Sequence, residues 1–160
     1  MKITILGCPR PVGGANTECG DTALMWRAAG WDVTVVPTWD ESPDNPWPGR
    51  LIASGCRLVS ATEGTVDQLP GIADSTLVAF CNQHACRAWP KLKALGCSLI
   101  YSPCMTYPTA AEREVFATCP PTAVHFQSRF QAQWMGPQYA EWGVAPERMF
   151  IIHEIGRAHV

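Results

Sequence analysis

Asn82 and His84 flank a single residue in "CNQHACRAW", directly behind the apolar run "TLVAFC". An imidazole there can move a proton near neutral pH, and an amide beside it can bond a hydroxylated ligand. Capping of a following helix by one of the two is an equal reading. Behind the first apolar run stands "CPRPVGGANTECGD". Gly13 and Gly14 lie where a loop enters a helix, with Asn16 as its expected N-cap and Glu18 in its first turn. Paired glycines let backbone amides approach a ligand closely. The helix start adds free N–H donors and partial positive charge, which makes a candidate phosphate cradle with Arg10 as a nearby full charge. The competing reading is a flexible turn whose glycines only permit positive φ. The spacing is not that of the dinucleotide fingerprint, because "CPRPV" separates strand from glycines, nor of the P-loop, since position 15 is alanine. A third loop, "SPCMTYPTAAERE", places Cys104, Met105, Thr106 and Tyr107 before a helix that Thr109 can cap. Cys104 activated by His84 would be a nucleophile, although no motif supports that pairing.

Those loops share a site only if the elements between them alternate correctly. Strands are expected at 2–7, 32–37, 57–61, 76–81, 98–102, 122–127 and 148–152, and helices at 16–29, 84–95, 109–118 and 128–142. The strands are nearly continuous apolar runs, as required when helices cover both faces of a parallel sheet. Gly30 and Gly96 each follow a helical run and precede a strand, where a left-handed C-cap belongs. The expected fold is therefore α/β, a three-layer Rossmann-like domain over 1–153 with a mainly parallel sheet of about seven strands. In such a sheet, ligands bind outside the carboxyl ends of the strands, where all three loops fall. Ser128, behind the sixth strand, is most simply another N-cap. The segment "TWDESPDNPWPG" (38–49) reads as a surface loop pinned by Trp39 and Trp47, or as a loop over a site with a tryptophan platform.

Bulk properties narrow the classes. The 160 residues suit one domain, and a net charge of −2 argues against a nucleic-acid partner. No apolar run is long enough for a membrane span. The start "MKITILGCPR" lacks a signal-peptide pattern, so a cytoplasmic setting is expected. Eight cysteines lack the paired spacing of a structural zinc site and a secretory context for disulfides, so no metal is expected. They read best as small buried hydrophobes.

In their order, four segments resemble the N-terminal half of a GT-B glycosyltransferase of the group 1 / family 4 type. They are the loop ending in Gly13-Gly14-Ala15, then "RAAGWDVTVVPTW", "VHFQSRFQAQWM" and "WGVAPERMFIIH". The resemblance implies two Rossmann-like domains facing across a cleft, the first holding mainly the acceptor and the second most of a nucleotide-sugar donor. On this chain it implies that Gly13 and Gly14, with Arg10, contact the donor diphosphate. Asn82, His84 and the loop Met105, Thr106, Tyr107 would line the acceptor side. Many relatives carry a histidine just after the fifth strand, where this chain has "SPCM"; His84 is the candidate catalytic substitute from the next loop. The nucleotide-sugar is a co-substrate, so no cofactor is implied, and the acceptor is unknown. Peripheral membrane association would leave no mark on this half.

The chain ends "FIIHEIGRAHV". In relatives the matching strand leads through a linker into the second domain, whereas back-translation of "EIGRAHV" resembles a common short-read sequencing adapter. The expectation is a truncated reading frame, natural to about His153, with 154–160 a non-native tail and a partner domain missing. Two other classes stay open: a stand-alone nucleotide- or phosphate-binding module, and a Cys104/His84 enzyme.

Overall fold

The computed structural model describes residues 1–7, 9–11, 13–37 and 44–152. Cys8, Trp39, His153 and the tail 154–160 lie outside the described residues. Among the described residues seven strands form one sheet: β1 (Lys2–Leu6), β2 (Asp32–Val36), β3 (Arg57–Leu58), β4 (Thr76–Phe80), β5 (Ser98–Ser102), β6 (Ala123–Phe126) and β7 (Met149–Ile151). Their spatial order is β3-β2-β1-β4-β5-β6-β7, and every neighbouring pair is parallel. Five helices connect them: α1 (Gly14–Ala28), α2 (Trp47–Ala53), α3 (Gln83–Ala94), α4 (Ala110–Phe116) and α5 (Arg129–Glu141). The expected α/β Rossmann-like class is the observed one, and the sheet is wholly parallel.

Alternation along the strands builds two cores. Ile3, Ile5, Val33, Val35, Val78 and Phe80 face one layer, where they pack with Cys19 and Ala23 of α1 and Trp47 and Leu51 of α2. Leu6, Val36, Leu77, Ala79, Leu99 and Tyr101 face the other, against Trp89 of α3, Phe116 of α4 and Tyr139 of α5. Apolar residues on both sides of each strand are what make a central parallel strand stable between two helical layers. Gly30 (φ 85°) and Gly96 (φ 84°) close α1 and α3 as the sequence pattern expects.

Some boundaries moved. The strand expected at 57–61 forms ladder pairs only at Arg57 and Leu58. Residues 47–53, partly assigned to the 38–49 loop, form α2 instead. Pro48 sits in the first turn of α2, where proline's missing N–H is harmless. Trp47 is 2% exposed and so is a core residue, not a ligand platform. Its ring lies so close to α1 that a Cβ on Gly20 would approach it to 2.5 Å, so α1 needs glycine there for α2 to dock.

The chain runs outward from β1 to β2 and β3, then returns to place β4 on the other side of β1. The strand order thus reverses between β1 and β4, and a crevice opens outside the carboxyl ends of strands at such a point.

Candidate functional site

The reversal brings the loops after β1 and β4 side by side. Asn82 joins them: its Nδ2 donates to the carbonyl of Leu6 at 3.0 Å. Its Oδ1 accepts from the backbone N–H groups of His84 (2.9 Å) and Ala85 (3.1 Å), which makes it the N-cap of α3. Of the two readings at 82–84, Asn82 takes the cap, and at 1% exposure it is a buried clamp. His84 stays partly exposed, and its Nδ1 lies 2.9 Å from Glu63 Oε2. With Nδ1–H donated to the carboxylate, the ring is oriented as in general-base pairs. Arg87 Nη1 stands 3.9 Å from the same oxygen. Glu63 lies in a turn far from His84 in sequence, so no local spacing signals this partner.

On the β1 side, α1 begins earlier than expected. Gly13 occupies the N-cap position with φ 95°, Gly14 is the first helical residue, and no side-chain cap bond is made. The expected capping role of Asn16 is therefore not realised, because Asn16 sits inside the first turn; Glu18 falls beyond that turn. Both glycines are exposed, and a Cβ on Gly14 would meet nothing within 4 Å. Among the described residues Gly14 thus faces open space, whereas a Cβ on Gly13 would stand 3.3 Å from Asn16 Nδ2. Thr17 Oγ1 donates to the Arg10 carbonyl at 3.3 Å, and Asn45 Nδ2 donates to the Pro9 carbonyl at 2.8 Å. These bonds hold the approach loop at two adjacent carbonyls.

The loop after β5 is exposed at Met105, Thr106 and Tyr107, the last 58% exposed. Its backbone is nevertheless held: Gln131 Nε2 donates to the carbonyls of Pro103 (2.5 Å) and Met105 (2.9 Å). Gln131 Oε1 in turn accepts from the N–H of Gln127 at 2.8 Å. Gln127 Nε2 reaches Glu18 Oε2 at 2.6 Å, which ties the exit of β6 to α1 across the rim. Thr109 and Ser128 cap α4 and α5 as expected, Thr109 in a reciprocal capping box with Glu112.

Glu112 is buried. Its two carboxyl oxygens accept from Tyr139 Oη and from the Thr109 N–H, each at 2.5 Å. Burial, with Glu112 close by, pushes the Tyr139 phenol well above its ordinary range. Burial likewise pushes the Cys86 thiol far up, so it stays protonated. A cleft of about 410 Å³ lies between the starts of α3 and α4, lined by Cys81, Gln83, His84 and Thr109. Among the described residues no cluster of three metal-ligating side chains exists.

All the candidate residues therefore sit on one rim: Arg10, Gly13 and Gly14 behind β1, Asn82 and His84 behind β4, and Met105, Thr106 and Tyr107 behind β5. Cys104 Sγ lies 3.8 Å from the Ser102 carbonyl and accepts from Gln127 Nε2 at 3.6 Å, while His84 is engaged with Glu63.

No family model matches the sequence, and no curated protein does. Solved structures do match. The HepE protein (Alr3699) of Anabaena, in complex with UDP and glucose, superposes with a TM-score of 0.64 at 16% identity, over 96% of this chain and 44% of that one. The same protein with UDP-glucose gives 0.64 at 17% identity over 96% and 43%, and with UDP alone 0.63 at 15% over 96% and 44%. The likeness establishes a shared fold, that of the Rossmann-like half of a nucleotide-sugar-bound protein. This chain spans less than half the length of HepE.

Proposed function

We propose that this chain is the acceptor-side domain of a GT-B glycosyltransferase, which moves a sugar from a nucleotide-sugar donor to an acceptor when joined to a second, donor-holding domain. The observation that carries this reading is the convergence at the β1/β4 reversal. A glycine-lined helix start with no side-chain cap lies behind β1, a histidine paired with Glu63 lies behind β4, and Asn82 ties the two loops together, on a fold shared over 96% of the chain with a protein solved around UDP and glucose.

The chemistry divides among the loops. The amides at Gly13 and Gly14, with Arg10, would meet the diphosphate and stabilise charge that develops on the leaving group. Exposed Met105, Thr106 and Tyr107 would face the acceptor, and His84, held by Glu63, would handle a proton or hydroxyl there. Asn82 serves the same site from beneath, by fixing where α3 starts. A cleft built between two domains is incomplete on one of them, so the 160-residue chain alone should be inactive.

The test is to read the source DNA across codon 153, and to compare the isolated chain with the chain joined to whatever the frame encodes next. UDP release from UDP-sugars by the joined protein only is the expected result. A frame that ends after Val160, with UDP binding and no turnover by the chain itself, would overturn it in favour of a stand-alone binding module.

A further inference from the structure

We propose that Cys81 and Cys104 form an oxidisable dithiol at the mouth of the cleft, a modification site that closes as an intramolecular disulfide on reaction with a low-molecular-weight disulfide. The two residues leave neighbouring strands, since Phe80 of β4 is in register with Ser102 of β5. One carbonyl lies against both: that of Ser102 accepts from the Cys81 N–H at 2.8 Å and stands 3.8 Å from Cys104 Sγ. Gln127 Nε2 holds Cys104 from the far side at 3.6 Å. Cys81 lines the cleft, which gives a reagent access, whereas Cys19, Cys56, Cys86 and Cys97 are buried.

Two further properties set Cys81 apart. Its φ of 45° makes it the one non-glycine residue with positive φ among the described residues. Such backbone is costly, and tends to persist where a side chain must be aimed. The groups that face it are Cys104 behind β5, Glu112 of α4, and Cys86 and His84 of α3. The Cys104 hydrogen bond outweighs burial and the Glu112 carboxylate, and lowers the Cys81 thiol to about 7. Much of it is therefore thiolate, the attacking species, near neutral pH.

The exchange balances without any group beyond the added disulfide. The Cys81 thiolate attacks one sulfur of RSSR; the S–S bond breaks, and RS⁻ leaves and takes a proton from water. Cys104 then loses its proton to water and attacks the Cys81 sulfur, expelling the second RS⁻. Two protein thiols are oxidised by two electrons, and RSSR is reduced to two thiols. The bridge would pin the Met105–Tyr107 loop to the start of α3.

The probe is oxidised glutathione, followed by alkylation of remaining thiols and peptide mass spectrometry. The wild-type chain should yield the Cys81 peptide joined to the Cys104 peptide with no glutathione retained. Cys104→Ser should stop at a glutathione adduct on Cys81, and Cys81→Ser should give neither product, with circular dichroism confirming that both variants fold. In the wild-type chain, Cys81 alkylation should have a midpoint near pH 7 that moves upward in urea. A glutathione adduct that persists on wild-type Cys81, or a Cys81 rate unchanged by urea, would overturn the proposal.

Discussion

The rim of this sheet is built in two ways. On the β4–β6 side, α3, α4 and α5 all begin on a side-chain cap: Asn82, Thr109 and Ser128. On the β1 side, α1 begins on Gly13 with no such bond, and its first residues are exposed. A capped helix start has its orphan N–H groups satisfied from within the fold, whereas an uncapped one leaves them to water or to a ligand. The capped side thus supplies a rigid wall, and the glycine side supplies donors. Glu112 extends the wall downward into the core, because the carboxylate that closes the α4 cap also accepts from Tyr139 of α5.

The sharpest way to break this contrast is Glu112→Ala. It removes one buried and one part-buried hydrogen bond and leaves the Tyr139 hydroxyl without its partner, for a loss of about 3–4 kcal/mol. Urea denaturation at neutral pH should show it as a lowered midpoint with little change in slope. Asn82→Ala comes next, at about 2–3 kcal/mol, since it loses a cap and leaves the buried Leu6 carbonyl without its Asn82 donor. The same unfolding curve measures it. Asn82→Asp should keep the cap but set a buried carboxylate oxygen against the Leu6 carbonyl, so it should not restore full stability.

The third prediction concerns alkaline pH. Burial keeps Cys86 protonated in the fold, while the unfolded thiol ionises near the ordinary thiol value of 9.0. The unfolded state therefore binds fewer protons above pH 9, and stability falls as pH rises. Cys86→Ala should remove about 1.4 kcal/mol of that fall per pH unit above 9, read as the difference between urea midpoints at pH 8 and pH 10. Cys81 has the opposite sign. Its folded value is lowered to about 7, so its contribution is present above pH 9 and lost as pH falls through 7. Cys81→Ala should accordingly make the alkaline fall steeper. The smallest effect is expected at the glycine end. Gly14→Ala meets nothing within 4 Å, so stability should change by no more than about 0.5 kcal/mol, with a slight gain allowed by the better helix former. A large loss would mean that α1 starts as tightly constrained as its neighbours, and the contrast would fail.

Much of the wall was legible locally. Thr109 and Ser128 announce their caps by standing between an apolar strand and a helical pattern, and Gly30 and Gly96 mark the opposite ends. The residues behind each strand were legible as a group because a parallel sheet puts all its carboxyl ends on one edge. Helix α2 was not, since the prolines and acids before Trp47 resemble a loop until Trp47 is seen buried against Gly20. Nor did spacing decide between Asn82 and His84 for the α3 cap, because both residue positions stand close enough to the helix start. The Leu6 carbonyl, brought alongside by the parallel pairing of β1 and β4, gives Asn82 its second partner.

By itself, then, the sequence determined the alternation of strands and helices, their two-sided burial and most helix ends. These rest on periodicity and on backbone chemistry within a few residues. Only the tertiary structure decided that Glu63 orients His84, that Gln127 reaches Glu18, that Glu112 bonds Tyr139, and that Cys81 and Cys104 meet at the Ser102 carbonyl. Each of those pairs is separated by 21 or more residues. Hydrogen bonds act over about 3 Å and carry no trace in local spacing, so it takes the strand order that reverses at β1 to bring the partners together.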